Sequence, residues 1–244
     1  MYKTAIVLAL IVIFCMPLSA MSAEDIVRAM DEVETFDQSY AEGELITTDR
    51  FGVKRSTFRS WSQGQFDSLI EFTSVAERGQ KVLRTSGQLY LFYPDAEELI
   101  RLQGAALRQS MLGSDISYED MTGERDTLAD YTAKLLGTEQ INGRTSYVLE
   151  LTAKTRTVAY PKQKLWVDAE HFMVWKGEFS TQTGRLLKEM EVIETMEIDG
   201  RTLAKVSRIS DAMKRNSSTE MHIHHLDIAV SLDPSIFTLQ NLTW

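Results

Sequence analysis

Residues 184–210 read GRLLKEMEVIETMEIDGRTLAKVSRIS, and this stretch decides the fold. Met190, Val192, Met196 and Ile198 share one parity, while Glu189, Glu191 and Glu197 share the other. A period of two marks a strand with one dry and one solvated face. Asp199-Gly200 falls between this run and the next one, Thr202 to Ser210. A type I′ turn needs positive φ at both central residues, which Asp tolerates and Gly adopts freely. The stretch is a half-buried β-hairpin.

The same pattern extends in both directions. Asn142-Gly143 and Thr183-Gly184 supply further turns, and the segments Tyr147 to Ala153, Lys164 to Asp168, Phe172 to Thr181, Arg185 to Ile198, Thr202 to Ser210 and Thr219 to Leu232 form an up-and-down meander. In the last of these, Leu226, Ile228, Val230 and Leu232 alternate with Asp227, Ser231 and Asp233. Toward the N-terminus, Glu44 to Thr48, Gly52 to Trp61 and Gln65 to Ser74 are rich in β-branched and aromatic residues and separated by Gly, Asp and Ser. Leu89 to Tyr93 is apolar at every position, which predicts a strand covered on both faces, ended by Pro94-Asp95.

Two segments break the strand period. From Ala23 to Gln38, Ile26, Met30, Val33 and Phe36 recur at helical spacing, with acids on the other face. From Gly104 to Leu112, Leu107 and Met111 stand one turn apart and Gly113 is placed as a C-cap, which predicts a short helix. Ser117 to Asp120 then has the spacing of a capping box. About ten strands in one meander curl strongly through their own twist. The expected fold is mainly β with a few α-helices: a strongly curved antiparallel sheet, an incomplete β-barrel, covered by helices in one domain.

Composition bounds the function. The 244 residues carry 35 acidic against 26 basic side chains, a net charge of -9, with no basic block. Nucleic acid is therefore not an expected partner, because affinity for phosphates comes from Lys and Arg. Met1-Tyr2-Lys3, the apolar run Ala5 to Phe14, Pro17 and the small residues Ser19, Ala20, Ser22 and Ala23 read as a signal peptide over residues 1–22, leaving 23–244 as a single domain. The run is about half the ~20 residues of a spanning helix. Phe14 is too bulky to precede a lipidated Cys15, the sole cysteine, so disulfides and thiol chemistry are not expected in the mature chain.

Catalytic signatures are missing: no G-x-S-x-G elbow, phosphate-binding loop, dinucleotide fingerprint or H-E-x-x-H occurs. No catalytic residue, resident metal or cofactor is expected. The strongest counter-signal is Met221-His222-Ile223-His224-His225. On a strand His222 and His224 would point the same way, ~7 Å apart, close enough to share a metal if His171, Asp168 or Glu170 came near. The plainer reading is a polar patch at a bulge, since Ile223 is out of phase with Leu226. Large apolar side chains are plentiful. They either pack a solid core or line a ligand space that a wide curved sheet leaves unfilled.

Several strings, in order through the mature chain, resemble the outer-membrane lipoprotein-sorting protein family, the LolA-like periplasmic carriers. They are Leu91-Phe92-Tyr93-Pro94, Leu112-Gly113-Ser114-Asp115-Ile116-Ser117-Tyr118-Glu119-Asp120, Trp166-Val167-Asp168, Gly184-Arg185-Leu186-Leu187-Lys188, Ile198-Asp199-Gly200 and Asp233-Pro234-Ser235-Ile236-Phe237. The second is the most specific. Ala204, where a proline is common, and the histidine cluster depart from the family pattern. The resemblance implies a periplasmic, monomeric, non-enzymatic carrier that holds a lipid or the acyl chains of a lipoprotein, with an inner-membrane transporter as a further partner. The expected lipid-binding residues are Trp61, Phe92, Leu107, Met111, Trp166, Trp175 and Phe179, with Leu107 and Met111 on a segment over the mouth. The alternatives are a metal-dependent hydrolase built on His222, His224 and His225, and a non-carrying adaptor of an exporter.

Overall fold

In the computed structural model the described residues are 21–122 and 126–242. The expected signal peptide, apart from Met21 and Ser22, lies outside them. The chain opens with α1 (Ala23–Val33), followed by β1 (Gln38–Asp49), β2 (Gly52–Gln63), β3 (Asp67–Phe72), β4 (Lys81–Thr85), β5 (Gln88–Tyr93) and β6 (Glu98–Leu102). A connecting segment holds two 3-10 turns, Gly104–Arg108 and Met111–Gly113, and the short helices α2 (Tyr118–Thr122) and α3 (Thr127–Asp130). Then come β7 (Tyr131–Ile141), β8 (Arg144–Ala153), β9 (Lys162–Asp168), β10 (Val174–Ser180), β11 (Leu186–Ile198), β12 (Arg201–Asp211) and β13 (Ser218–Asp227). A 3-10 turn, Pro234–Phe237, and α4 (Leu239–Leu242) follow.

All thirteen strands form one antiparallel sheet in the order β6-β5-β4-β3-β2-β1-β13-β12-β11-β10-β9-β8-β7. Two meanders, β1 to β6 and β7 to β13, are fused where β1 pairs with β13. β6 and β7 remain as edges, so the sheet curves without closing. The turns are as the dipeptides require: Asn142-Gly143 and Asp199-Gly200 all have positive φ.

Register assigns the faces. On the inner face of the first meander, Ile70, Val82 and Leu91 stand in one row across β3 to β5, and Phe58 stands opposite Phe72 beside them. On the inner face of the second, Leu165 and Leu149 stand beside Leu135. There α1 lies down, burying Ala23, Ile26, Val27 and Met30 among Tyr131, Leu149, Leu151 and Leu165. Burying such side chains contributes roughly 1.5–3 kcal/mol each. Ser22 and Asp25 cap the start of α1 reciprocally. The helix stops at Val33, short of the expected Gln38. Arg201 Nη1, in the β11–β12 turn, donates to the carbonyls of Glu32, Val33 and Thr35 and fixes that end.

The last expected strand also ends early, at Asp227, whose carboxylate accepts from the Ala229 amide. Beyond it the chain crosses to the outer face of the first meander. Gln38 holds Leu232 by both backbone groups, and Leu232, Phe237 and Leu242 bury against Leu69 and Leu83. β5 is thereby covered on both sides, with Leu89 and Leu91 facing inward and Tyr90 and Phe92 meeting the C-terminal segment. This explains its unbroken apolar sequence.

Two residues carry local architecture. A Cβ on Gly43 would lie 2.4 Å from the His222 carbonyl oxygen and 2.8 Å from Phe58 Cζ. Gly43 faces the irregularity between Ile223 and His225 on β13, the bulge that the histidine phase predicts. Asp168, 2% exposed, accepts from Trp175 Nε1 at 2.9 Å and from the amides of Glu170 and His171 at 2.9 Å each. Burial alone would raise its pKa, but these bonds and the His171 ring outweigh burial and hold it below the usual carboxylate range.

Gly43→Val should lower stability by more than about 2 kcal/mol, because backbone on β13 must shift, as measured by urea denaturation. Asp168→Ala should cost about 3 kcal/mol through the donors it leaves unpaired. A depressed folded pKa contributes stability that is present above the unfolded value, near ~3.9, and is lost as pH falls through the folded value. Melting of the wild type should thus decline below about pH 4, and Asp168→Asn should flatten that part of the decline.

Candidate functional site

The inner face of the first meander is closed by residues 104–122. The expected continuous helix over Gly104 to Leu112 is instead two 3-10 turns separated by extended Gln109 and Ser110. The break has a reason: the Met111 amide donates to the Ile116 carbonyl and the Tyr118 amide to Gln109, closing a loop that a helix would prevent. Leu112 and Gly113 take positive φ at its tip. Met111 is fully buried and Leu107 half-buried, both on the cluster of Leu45, Phe58, Ile70, Phe72, Val82 and Leu91. The capping box at Ser117 and Asp120 forms as its spacing predicts.

This plug has little regular structure, so discrete polar contacts hold it. Asp115, 1% exposed, accepts from Ser217 Oγ at 2.8 Å and from Thr219 Oγ1 at 3.0 Å, both at the start of β13. Its amide donates to Thr219 Oγ1 at 2.9 Å. Lys214 Nζ reaches the Ser114 carbonyl at 2.5 Å and lies 3.4 Å from Asp115. Lys54 Nζ donates to the Leu112 carbonyl at 3.0 Å and pairs with Glu77 at 2.8 Å. Across the sheet, Asp120 accepts from Tyr160 at 2.7 Å and pairs with Lys188. Burial first, then the neighbouring Asp120 charge, pushes the Tyr160 hydroxyl up, so it stays a donor at all physiological pH. Arg108 Nη2 completes the crossing with a bond of 2.5 Å to the Thr157 carbonyl. The plug therefore bridges both meanders.

Beside the plug a pocket of about 230 Å³ remains on the inner face. Its apolar lining includes Phe58, Ile70, Met121, Met221, Ile223 and Leu226. Ser39, Ser60, Ser62, Ser68 and Arg84 add a polar side.

The expected lipid-binding residues do not converge. Leu107 and Met111 meet in the plug. Trp61 and Phe92 take the opposite parity from Phe58 and Leu91 and pack with the C-terminal segment, although Trp61 also borders the pocket. Trp166 faces outward between the ammonium groups of Lys164 and Lys176, 4.4 and 4.6 Å from its ring, and its Nε1 donates to Glu139. Trp175 sits at an irregularity between Val174 and Lys176. It clusters with Met173 and Val192, whereas Phe179 joins the α1 cluster and stacks obliquely on Tyr160 at 5.0 Å. Gly177 leaves room for the Phe179 ring. Of the anchors, Lys188 stands in the Gly184 to Lys188 string, and Lys54, Tyr160 and Lys214 are not marked by sequence reading. Their lysines are ordinary in composition, and only the specific Gly-Ser-Asp-x-Ser-Tyr-Glu-Asp string marks the partners they hold.

His222 and His224 have ring centroids 6.4 Å apart on the outer face. Each turns to a carboxylate, His222 to Glu220 at 2.9 Å and His224 to Glu44 at 3.4 Å. Among the described residues no three His, Cys, Asp or Glu side chains are grouped to hold a metal.

Comparison with known proteins places this geometry. A family model described as that of an uncharacterized protein matches residues 64–244. A DUF1329 family protein from Desulfovibrio piger superposes with a TM-score of 0.83 at 24% identity, over 90% of this chain and 97% of that one. A domain assigned as an outer membrane lipoprotein-sorting protein, from Vibrio parahaemolyticus, gives 0.81 at 23% identity, over 91% and 98%. A LolA superfamily protein from Nitrosomonas europaea gives 0.77 at 28% identity, over 91% and 100%. No curated protein matches the chain. The open thirteen-stranded sheet, its inner plug and its helix α1 thus make a LolA-like fold, and the chain belongs to the family of uncharacterized proteins whose model spans residues 64–244.

Proposed function

We propose that this protein is a periplasmic, non-enzymatic carrier that takes a lipid or the acyl chains of a lipoprotein onto the inner face of its sheet. One observation carries the reading. The apolar floor under the plug is covered by Leu107 and Met111 on a segment without regular secondary structure, which is tied down by a few polar contacts and flanks a pocket that is already open. Displacing those two side chains exposes Phe58, Ile70, Phe72 and Val82 as a continuous apolar surface. Ligand sites for molecules of this size are typically about 300–1,000 Å³, so the existing pocket of about 230 Å³ needs that displacement to hold an acyl chain. Local opening draws on the least stable segments of a fold, and short turns held by side chains are such segments.

The likeness to LolA superfamily and lipoprotein-sorting structures supports the same reading, as does the signal segment expected at the N-terminus. Transfer to an inner-membrane transporter fits this role, with the protein acting as a monomer. The outward position of Phe92 and Trp166 fits packing in the closed form, and the proposed ligand-facing set is Leu107, Met111 and the pocket rim, which Trp61 borders.

Native mass spectrometry of detergent-free protein should show co-purifying lipid. Stoichiometric zinc without lipid overturns the reading and favours a metal-dependent hydrolase. Loosening the plug provides a sharper measurement. Asp115→Ala removes the acceptor for Ser217 and Thr219 and should cost about 2 kcal/mol of stability, while speeding uptake of a fluorescent fatty acid. An unchanged uptake rate in a folded Asp115→Ala variant would mean that the plug does not gate the face.

A further inference from the structure

Strand register sets three turns side by side at one end of the sheet. Thr48 pairs with Ser218, which brings the β1–β2 turn beside the β12–β13 turn. Lys188 pairs with Asp211, which places the β10–β11 turn next in line. The first two tips carry bulky apolar side chains in solvent: Phe51 is 82% exposed, Val53 64% and Met213 61%. A single exposed apolar residue needs no explanation, but a group of them at adjoining tips marks a contact surface.

The same three turns carry Arg50, Arg185 and Arg215, all exposed. Nearby Arg55 and Lys214 are engaged by Glu44 and Asp115. Among the described residues the three arginines form no ion pair, and Arg50 instead lies 4.5 Å over the Phe51 ring. This runs against the net charge of -9. Two acids share these turns, Asp49 and Asp211, and each is occupied in its own turn, accepting from the Phe51 and Met213 amides, whereas Asp199 and Asp227 belong to the opposite end of the sheet. Val75 is exposed farther along the same rim, in a shallow hollow that it shares with Arg78, Asp95 and Glu98.

We infer that this end of the sheet docks on an anionic lipid bilayer. Guanidinium groups at a membrane surface meet headgroup phosphates, and aromatic and thioether side chains enter between the headgroups. The apolar residues stand on two adjoining hairpins, Phe51 and Val53 on one and Met213 on the other. A protein partner would have to present a shaped complement to each, whereas a fluid bilayer accepts them individually. The acidic remainder of the chain is repelled by the same charge, so docking has one orientation. That orientation turns toward the bilayer the hairpins whose Lys54 and Lys214 hold the plug. The inference goes beyond carriage: it concerns where the protein meets a membrane, whatever it holds.

Vesicle flotation tests it. The protein should float with phosphatidylcholine vesicles that contain phosphatidylglycerol and remain behind with pure phosphatidylcholine, and added salt should release it. Arg50→Glu with Arg215→Glu should weaken flotation by about tenfold or more, given the usual contribution of each basic residue at an anionic surface. Phe51→Ser with Met213→Ser should weaken it with an unchanged melting temperature, since both side chains are solvent-exposed. Flotation on neither vesicle, equal flotation on both, or wild-type flotation by either double variant overturns the inference. Lipid co-purification is scored separately: flotation without bound lipid sinks the carrier reading alone, and bound lipid without flotation sinks docking alone.

Discussion

The ladder between β1 and β13 is the constraint from which the rest of this structure follows. It joins strands nearly two hundred residues apart in the chain, from Tyr40 opposite Asp227 to Thr48 opposite Ser218. Each meander alone could form from local hairpins with short loops, and such contacts close at small entropic cost. Neither alone has a partner for its inner face. Fusing them at β1 and β13 makes one broad sheet and carries α1, which precedes β1, across to the inner face of the other meander. Gly43 is the narrow point of that ladder, because the bulge at Ile223 and His225 presses the His222 carbonyl where a side chain would stand.

A sheet that curls without closing has an apolar inner face wider than one helix can cover. Two unlike solutions share it here. The amphipathic helix α1 covers β7 to β10 by ordinary side-chain burial, with capped ends and a regular backbone. The plug over β2 to β5 is held instead by Asp115, Asp120, Lys54 and Lys214. Polar anchors of this kind contribute modestly when satisfied and are costly when half broken. The seated plug therefore depends on a small number of satisfied polar contacts. The helix covers its half by burial and the plug covers the other half by polar anchoring.

The outer face shows the same economy in reverse. The C-terminal residues after Asp227 cover β3 to β5 from outside and so bury Leu83 and Phe92 on a face that would otherwise be wet. Farther along, where no chain covers the sheet, Trp166 is sandwiched by Lys164 and Lys176, whose stems and charges shield the indole from solvent. The large apolar side chains left most open to solvent are Val75 and, at the adjoining hairpin tips, Phe51, Val53 and Met213.

The sequence by itself determined the fold class, the turns and most of the strands, while the short β4 and β6, which lack a clear alternation, were not legible in it. Alternation at Met190 to Ile198, the Asn-Gly and Asp-Gly dipeptides and the capping residues act between neighbours a few positions apart, so they are readable without tertiary context. The phase slip at Ile223 even revealed the bulge. Parity within a strand, however, says which residues share a face, and not which face becomes the inside. Trp61, Phe92 and Trp166 are as apolar as Phe58 and Leu91, yet they point outward, because the C-terminal crossing and the flanking lysines give the outer face its own cover. Trp175 and Phe179 share parity on paper, and the irregularity at Val174 separates them into different clusters. The helix expected over Gly104 to Leu112 gave way to two tight turns because Met111 and Gln109 bond to Ile116 and Tyr118 in a loop, and partners about a hundred residues away, Lys214 and Thr219, hold the Ser114 carbonyl and the Asp115 amide at its far side. Those long-range contacts exist only once β1 has found β13, and they decided where the plug sits.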